Sequence, residues 1–230
     1  MVEEKSFCKY NMVMDLSILT GYKVLEEAES KLNGKLTVVK DIVWGTHIKG
    51  GGLTQSGGVA TKVLGSAVDH AKRKGLAPKS SLILGLGGGS LARLIRDSWP
   101  KTKITGVDMD EVIVGLGIRH LGLKETGANV VIKDASRFVS DQIKAKEKYD
   151  LIGVDMYVQD SVPQKFRKAK FIKNIKKLLK KGGLVFFNRL YYGEKRKEAH
   201  DFEKLLKKEF EKVDTVYPEA NIIFLCERPL

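Results

Sequence analysis

Hydrophobic and polar residues alternate with a period near two in the first part of the chain. Past Pro78 the pattern changes to short apolar runs separated by segments of helical period. Residues 22–26 and 36–40 read as strands, with Asn33-Gly34 as the hairpin turn because both residue types accept positive φ. Residues 42–48 read as a third strand, and the stretch 50–58, GGGLTQSGG, as too glycine-rich for regular structure. Val59, Val63, Ala67 and Ala71 then share a helical face with Leu64 and Val68; Ser56 is a candidate cap and Gly75 a stop. Beyond Pro78, strands at 81–86, 103–108, 129–133, 149–155 and 184–188 alternate with helices at 90–97, 110–120, 136–146, 166–181 and 194–210. Strands at 213–217 and 221–226 have only Pro218, Glu219 and Ala220 between them, which makes them a hairpin.

Such alternation predicts an α/β, Rossmann-like fold with helices on both faces of a mostly parallel sheet. Seven strands are expected in that sheet, ending in a C-terminal antiparallel hairpin. A small N-terminal β-rich extension precedes it, so the chain divides into 1–57 and 58–230. At 230 residues, 43% hydrophobic and 30% charged, the composition is that of a soluble globular protein of one large domain or one domain with an appendage. No apolar run is long enough for a membrane-spanning helix. The start of the chain, with Glu3 and Glu4 and no long apolar core, does not read as a signal peptide. Cys8 and Cys226 form no disulfide framework, so a reducing, cytoplasmic location is expected. The histidines at 47, 70, 120 and 200 have no metal-ligand spacing, so no metal is expected, although His47 falls near the glycine-rich segment.

Candidate chemistry concentrates at the ends of the predicted strands. SLILGLGGGS, residues 81–90, ends the first strand after Pro78 in glycines, where backbone can approach a ligand and a helix N-terminus offers unpaired N–H groups. Asp108, Asp134 and Asp155 end the next three strands, so one sheet edge carries a flexible turn and three acids. One Asp after a strand is an ordinary turn former or helix cap. The set instead suits a nucleoside, with Asp108 accepting from ribose hydroxyls and Asp134 from an adenine amine. The loop reads G-x-G-x-G through Gly85, Gly87 and Gly89, which departs from the dinucleotide fingerprint, and no P-loop is present.

LILGLGGGSLARLIRDSWPKTKITGVD, ending at Asp108, resembles motif I and the acidic strand of class I S-adenosylmethionine-dependent methyltransferases. Pro78-Lys79, Asp134-Ala135 and YDLIGVDMYVQDSVP at 149–163 extend the resemblance to the spermidine synthase-like branch of that superfamily. The resemblance implies S-adenosylmethionine or its decarboxylated form as cofactor. Gly85, Gly87 and Gly89 would lie along its methionine end, Asp108 at the ribose, Met109 against the adenine, and Asp134 and Ala135 at the adenine edge. Gln55 would close over the cofactor, and Asp155 would face the acceptor. Asp155 and Asp160 are then the candidate acid–base groups, with Tyr157 between them in the acceptor pocket; Asn188-Arg189 is a further candidate.

The branch's aminopropyltransferases resemble one another in an Asp-Glu pair and a Tyr-His-Glu cluster before motif I, and in a second aspartate three residues after the one ending the fourth strand. Here the first stretch reads SGGVATKVLGSAVDH and the last position is Val158. Polyamines are multiply charged cations that need carboxylates in place of water. Methyl transfer is therefore the leading expectation, to a small molecule or a protein. Aminopropyl transfer is the alternative, and a non-catalytic cofactor-binding scaffold the third. Lys+Arg 41 against Asp+Glu 28 gives a net charge of +13, concentrated in nine Lys/Arg over 165–181. That segment reads as a solvated helix face; a nucleic-acid partner would use such charge but is not favoured. The strand edges of the N-terminal extension need cover, for which a homodimer is one solution.

Overall fold

The computed structural model describes residues 21–230; Cys8 and the start of the chain lie outside the described residues. Four strands form an N-terminal antiparallel sheet in chain order: β1 (Tyr22–Ser30), β2 (Gly34–Asp41), β3 (Gly45–Gly50) and β4 (Leu53–Gly57). Three expectations change here. The first hairpin closes over three residues, because Ser30 pairs with Gly34 and Gly34 alone takes a positive φ, +66°. Asn33 is thereby turned inward and buried. The glycine-rich stretch also contains a strand: Gly51 and Gly52 take the positive φ of the β3–β4 turn, and Leu53–Gly57 pairs with β3. The expected third strand starts late, at Gly45, because Ile42, Val43 and Trp44 form an exposed turn.

Helix α1 (Gly58–Arg73) buries Val63, Leu64, Ala67, Val68 and Ala71, the stripe the sequence marks. Ser56 does not cap it; Gly57 holds the cap position without a side-chain bond. Gly75, with φ of +73°, ends the helix turn.

The main sheet contains β5 (Ser80–Leu84), β6 (Lys103–Asp108), β7 (Asn129–Ile132), β8 (Tyr149–Val154), β9 (Leu179–Leu190), β10 (Val213–Val216) and β11 (Asn221–Glu227), in spatial order β10-β11-β9-β8-β5-β6-β7. β11 runs antiparallel to both neighbours, and the pairs among β5–β9 are parallel. Chain order reverses at β5, which lies between β6 and β8. Ligands of open α/β sheets bind at such a reversal, beyond the carboxyl ends of the strands.

The intervening helices are α2 (Ser90–Ser98), α3 (Glu111–His120), α4 (Ala135–Lys144), α5 (Ala169–Leu178) and α6 (Lys195–Glu209). Two apolar clusters cover the sheet. One joins it to α4, α5 and α6; the other joins it to α1, α2, α3 and the inner face of the N-terminal sheet. The predicted helix over 166–181 is shorter than expected. Leu179 already begins β9, and the register between β8 and β9 slips from Tyr149↔Leu179 to Leu151↔Leu184. Gly182-Gly183 therefore shapes a bulge within the strand, with Gly182 at φ +72°. Phe171, Ile172, Ile175, Leu178 and Leu179 are buried as the pattern predicts. Several of the basic residues of this stretch are tied to neighbours, Arg167 to Glu198 at 2.9 Å and Lys180 to Asp150 at 3.0 Å. Among the described residues no helix is long and apolar enough to cross a membrane.

Close packing explains one glycine inside α3. A Cβ at Gly117 would stand 2.5 Å from the backbone of Gly88, so the helix and the β5–α2 loop touch with no side chain between them. Gly115 faces only the tip of Arg119, at 3.2 Å. The expected outcome of Gly117→Ala is a loss of about 1–3 kcal/mol through overpacking. Gly115→Ala gains about 1 kcal/mol from helix propensity. Urea unfolding of the two variants checks both signs, and equal effects would contradict the packing account.

Candidate active site at the carboxyl edge of the sheet

The loop after β5 is fixed from three sides. Asp108, at the end of β6, accepts from Gly87 N on Oδ2 (2.7 Å) and from Asp110 N on Oδ1 (3.0 Å). Ser56 Oγ accepts from Gly88 N at 3.0 Å and lies 3.0 Å from Ser90 Oγ, which accepts from Gly57 N at 2.7 Å. Gly85 allows the loop to meet β8, since a Cβ there would fall 2.0 Å from the Asp155 carbonyl oxygen. Gly87 differs: a Cβ would make only ordinary contacts, the nearest with Ser56 Oγ at 3.5 Å. Its open side faces a cavity of about 400 Å³, within the roughly 300–1,000 Å³ typical of small-molecule sites.

The N-terminal sheet roofs this cavity through its hairpin turn. Asn33 Nδ2 and Ser30 Oγ donate to Asp110 Oδ2, at 2.6 and 2.5 Å, while Asp110 Oδ1 caps α3 by accepting from Val112 N and Ile113 N. Asn33 Oδ1 accepts from Gln159 N at 3.1 Å. Gln55, on β4, donates through Nε2 to Gly50 O (2.9 Å) and Gln159 O (3.2 Å). Residues distant in sequence thus hold the segment after β8 beneath the sheet.

At the other end, a side-chain relay crosses three strand ends. Asn221 Nδ2 donates to Asn188 Oδ1 at 2.9 Å, and Asn188 Nδ2 donates to Asp155 Oδ1 at 2.8 Å. Burial raises the Asp155 carboxyl above its ordinary value; the Asn188 bond and the Arg189 charge oppose this, and the Asp108 charge adds to it. Asp108 is also raised by burial, against the pull of its backbone donors. Tyr157 is locked, its hydroxyl accepting from Leu190 N at 2.7 Å, and burial pushes the phenol upward.

The sequence-marked residues divide. Gln55, Gly85, Gly87, Asp108, Met109, Ala135, Asp155 and Tyr157 line the one cavity, with Asn188 beside them. Gly89, Asp134 and Asp160 do not. Gly89 takes φ of +94° at the start of α2, where a Cβ would meet Leu123 at 2.6 Å, so it serves packing. Asp134 caps α4, accepting from Ser136 N (2.9 Å) and Arg137 N (3.1 Å), and pairs with Lys165. Partial burial pushes Asp134 upward, but Lys165 and the backbone donors outweigh it and hold the carboxyl low. It caps the helix through Oδ1, and its Oδ2 is paired with Lys165. Asp160 bonds Ser161 Oγ at 2.9 Å and lies 3.6 Å from Lys195, and both partners lower its carboxyl. It is outside the cavity, which leaves Asp155 as the acid of that pair within it. His47 packs beneath Gly57 and Gly58 instead of lining the cavity.

Sequence reading gave no role in the site to Ser30, Asn33, Asp110 and Gln159, whose partners lie at long range. Ser56 carried the local signature of a helix cap and does not cap, whereas Asp110, expected as the first helical residue, does.

Fold and cavity together define a protein of the class I S-adenosylmethionine-dependent methyltransferase fold. The sequence model of the spermine/spermidine synthase domain matches residues 62–222, and the chain belongs to that family. A "Probable polyamine aminopropyl transferase" of Bifidobacterium longum (strain NCC 2705) is 30% identical over 109 residues, 47% of this chain and 24% of that protein. An "eEF1A lysine and N-terminal methyltransferase homolog" of Drosophila melanogaster is 29% identical over 132 residues, 54% of this chain and 19% of that protein. The match thus spans about a quarter or less of either relative. Among solved structures, a probable spermidine synthase from Corynebacterium glutamicum ATCC 13032 superposes with a TM-score of 0.73 at 18% identity, covering 89% of this chain and 80% of that one. Human methyltransferase-like protein 13 in complex with SAH gives 0.59 at 23% identity, covering 74% and 81%. These superpositions concern the fold.

The raised carboxyl of Asp155 has a consequence for stability. A carboxyl raised on folding favours the native state while protonated, and that contribution is lost as pH rises through the folded value. Asp155→Asn, which keeps an acceptor for Asn188, is therefore expected to melt higher than the unsubstituted protein at neutral pH. The gap should close as pH falls toward the ordinary carboxylate value of 3.8. Thermal melts across that range check this; a lower melting temperature at neutral pH would contradict it.

Proposed function

We propose that the protein transfers the methyl group of S-adenosylmethionine to a nucleophile on a small molecule or a protein. The carrying observation is the character of the acceptor side of the cavity. Beyond Asp155 its wall includes Val59, Ala60, Val158, Leu190 and Tyr192, and its further carboxylate, Glu219, is paired with Lys62. A polyamine with several positive charges would meet one unpaired carboxylate there, where its lost hydration calls for more.

The fit to the cofactor rests on Gly87 and Asp108. Gly87 leaves room that a side chain would fill. Each Asp108 oxygen already accepts one backbone bond and retains capacity for a ribose hydroxyl. Met109, 44% exposed at the rim, and Ala135 offer apolar surface to a base. When bound, the cofactor supplies a methyl group activated on a sulfonium. The chain then has to align an acceptor beside it, exclude water and take up the acceptor's proton. Asp155 has one oxygen held by Asn188, and its raised carboxyl makes it a stronger base than an exposed aspartate.

Aminopropyl transfer from decarboxylated S-adenosylmethionine is the second reading, supported by the family and by the name of the bifidobacterial relative. Calorimetric titration separates the two. Methyl transfer predicts that S-adenosylmethionine and S-adenosylhomocysteine bind at least about tenfold more tightly, about 1.4 kcal/mol, than the decarboxylated cofactor and methylthioadenosine. The reverse order would establish the second reading, and silence from all four would overturn both. With an acceptor in hand, Asp155→Asn is expected to lower kcat by about 10²-fold or more while cofactor affinity holds.

A further inference from the structure

At the acceptor end of the cavity, side chains from three neighbouring strand ends make one hydrogen-bond chain. Asp155 follows the last residue of β8, where Val154 pairs with Phe187, so it stands beside Asn188 at the next position of β9. Asn221 opens β11 opposite Leu190, two residues before Ile223, the cross-strand partner of Asn188, and so lies on the same face of the sheet. Asn188 is 6% exposed; its Nδ2 donates to Asp155 Oδ1 at 2.8 Å and its Oδ1 accepts from Asn221 Nδ2 at 2.9 Å. Backbone bonds fix both asparagines. Asn221 N donates to Pro218 O at 2.9 Å, Tyr191 N donates to Ala220 O at 2.7 Å, and Asn188 O accepts from Arg189 Nη1 at 2.7 Å.

A side-chain amide has two unlike ends, and a carboxyl changes from acceptor alone to donor and acceptor when it gains a proton. Ionised Asp155 therefore calls for the nitrogen of Asn188. That turns the Asn188 oxygen toward residue 221 and calls for a donor there. Protonated Asp155 can donate to the Asn188 oxygen instead, which turns the nitrogen toward residue 221 and calls for an acceptor. Asn221 supplies the first and, with its own amide turned over, the second. Besides burial, which raises the Asp155 carboxyl, and the Asn188 bond, the charges acting on it are Arg189 on β9 and Asp108 at the end of β6. The Tyr157 hydroxyl is engaged by Leu190 N, and Glu219 of the hairpin turn is paired with Lys62 of α1.

We propose that Asn221 is a positioning residue for Asp155: through the Asn188 amide it sets the direction of a three-residue hydrogen-bond chain, and that direction decides how readily Asp155 takes up a proton. An amide at 221 serves both directions. An acceptor-only group there serves only the direction that keeps Asp155 protonated. The consequence for turnover rests on the reading of Asp155 as the base for the acceptor, whereas the chain itself stands in the protein without cofactor or acceptor.

Carbon NMR of the Asp155 side-chain carboxyl, assigned with Asp155→Asn and followed across pH on the whole chain, tests this. Asn221→Asp is expected to raise the Asp155 midpoint by about one pH unit or more, tenfold in proton affinity. Part of that rise is the added charge, which Asn188→Ala isolates: in that background Asn221→Asp should raise the midpoint less than half as far. If Asn188→Ala fails to fold, the Asn188 side-chain amide of the Asn221→Asp protein decides, its protons giving their stronger nuclear Overhauser contact to residue 221 and not to Asp155. An unmoved midpoint, an equal rise with and without Asn188, or an amide still turned to Asp155 would overturn the proposal. With an acceptor in hand, the acid limb of the turnover profile should move up with the carboxyl. A carboxyl that shifts while the turnover profile stays would sustain the chain and remove Asp155 as the base.

Discussion

The whole site is organised by one desolvated carboxylate. Asp108 holds the glycine loop against the end of β6 by accepting from Gly87 N, and sets the approach to α3 by accepting from Asp110 N. Burial acts against its charge, and those two donors act for it. Without an acceptor at this point, the Gly87 amide would be unpaired next to a cavity the turn must shape. With one, Gly88 is pressed onto Gly117 and Gly87 is left open toward the cavity. The same carboxylate therefore sets the loop's conformation and lines the cavity that the loop shapes.

Around that point the fold adds two supports from opposite directions. The N-terminal sheet is bonded to the loop through Ser56 and Ser90, and to α3 and the segment after β8 through Asn33. The C-terminal hairpin contributes Asn221, whose bond to Asn188 orients the amide that holds Asp155. Elements from both ends of the described chain thus converge on the strand ends near β5, where the chain order reverses. The catalytic carboxyl we propose and the loop that faces it are positioned by groups that no single stretch of sequence contains.

The parallel core was legible because its signals are local. Apolar runs, glycine stops and acids after strands give the seven strands and their helices, and they mark Gly87, Asp108 and Asp155 at one edge. What escaped was set by distance or by backbone freedom. Asn33 reads as a turn former until the hairpin closes one residue earlier and turns it inward toward Asp110. Ser56 reads as a helix cap until β4 carries it to Gly88. Residues 53–57 look too glycine-rich for a strand because the turn at Gly51 and Gly52 hides the pairing with β3. Asp134 has the position of a ligand-binding acid, but Ser136 N, Arg137 N and Lys165 take its oxygens.

The Gly87 loop and Asp108 are the nucleoside grip we propose for this cavity. Titrating isotope-labelled protein with S-adenosylhomocysteine and following backbone amides by NMR tests it most directly. Saturable shifts are expected to concentrate at Gly87, Gly88, Met109 and Ala135, with the β10–β11 turn scarcely moved. Shifts that leave the glycine loop unmoved, or cluster away from β5 and β6, would contradict it.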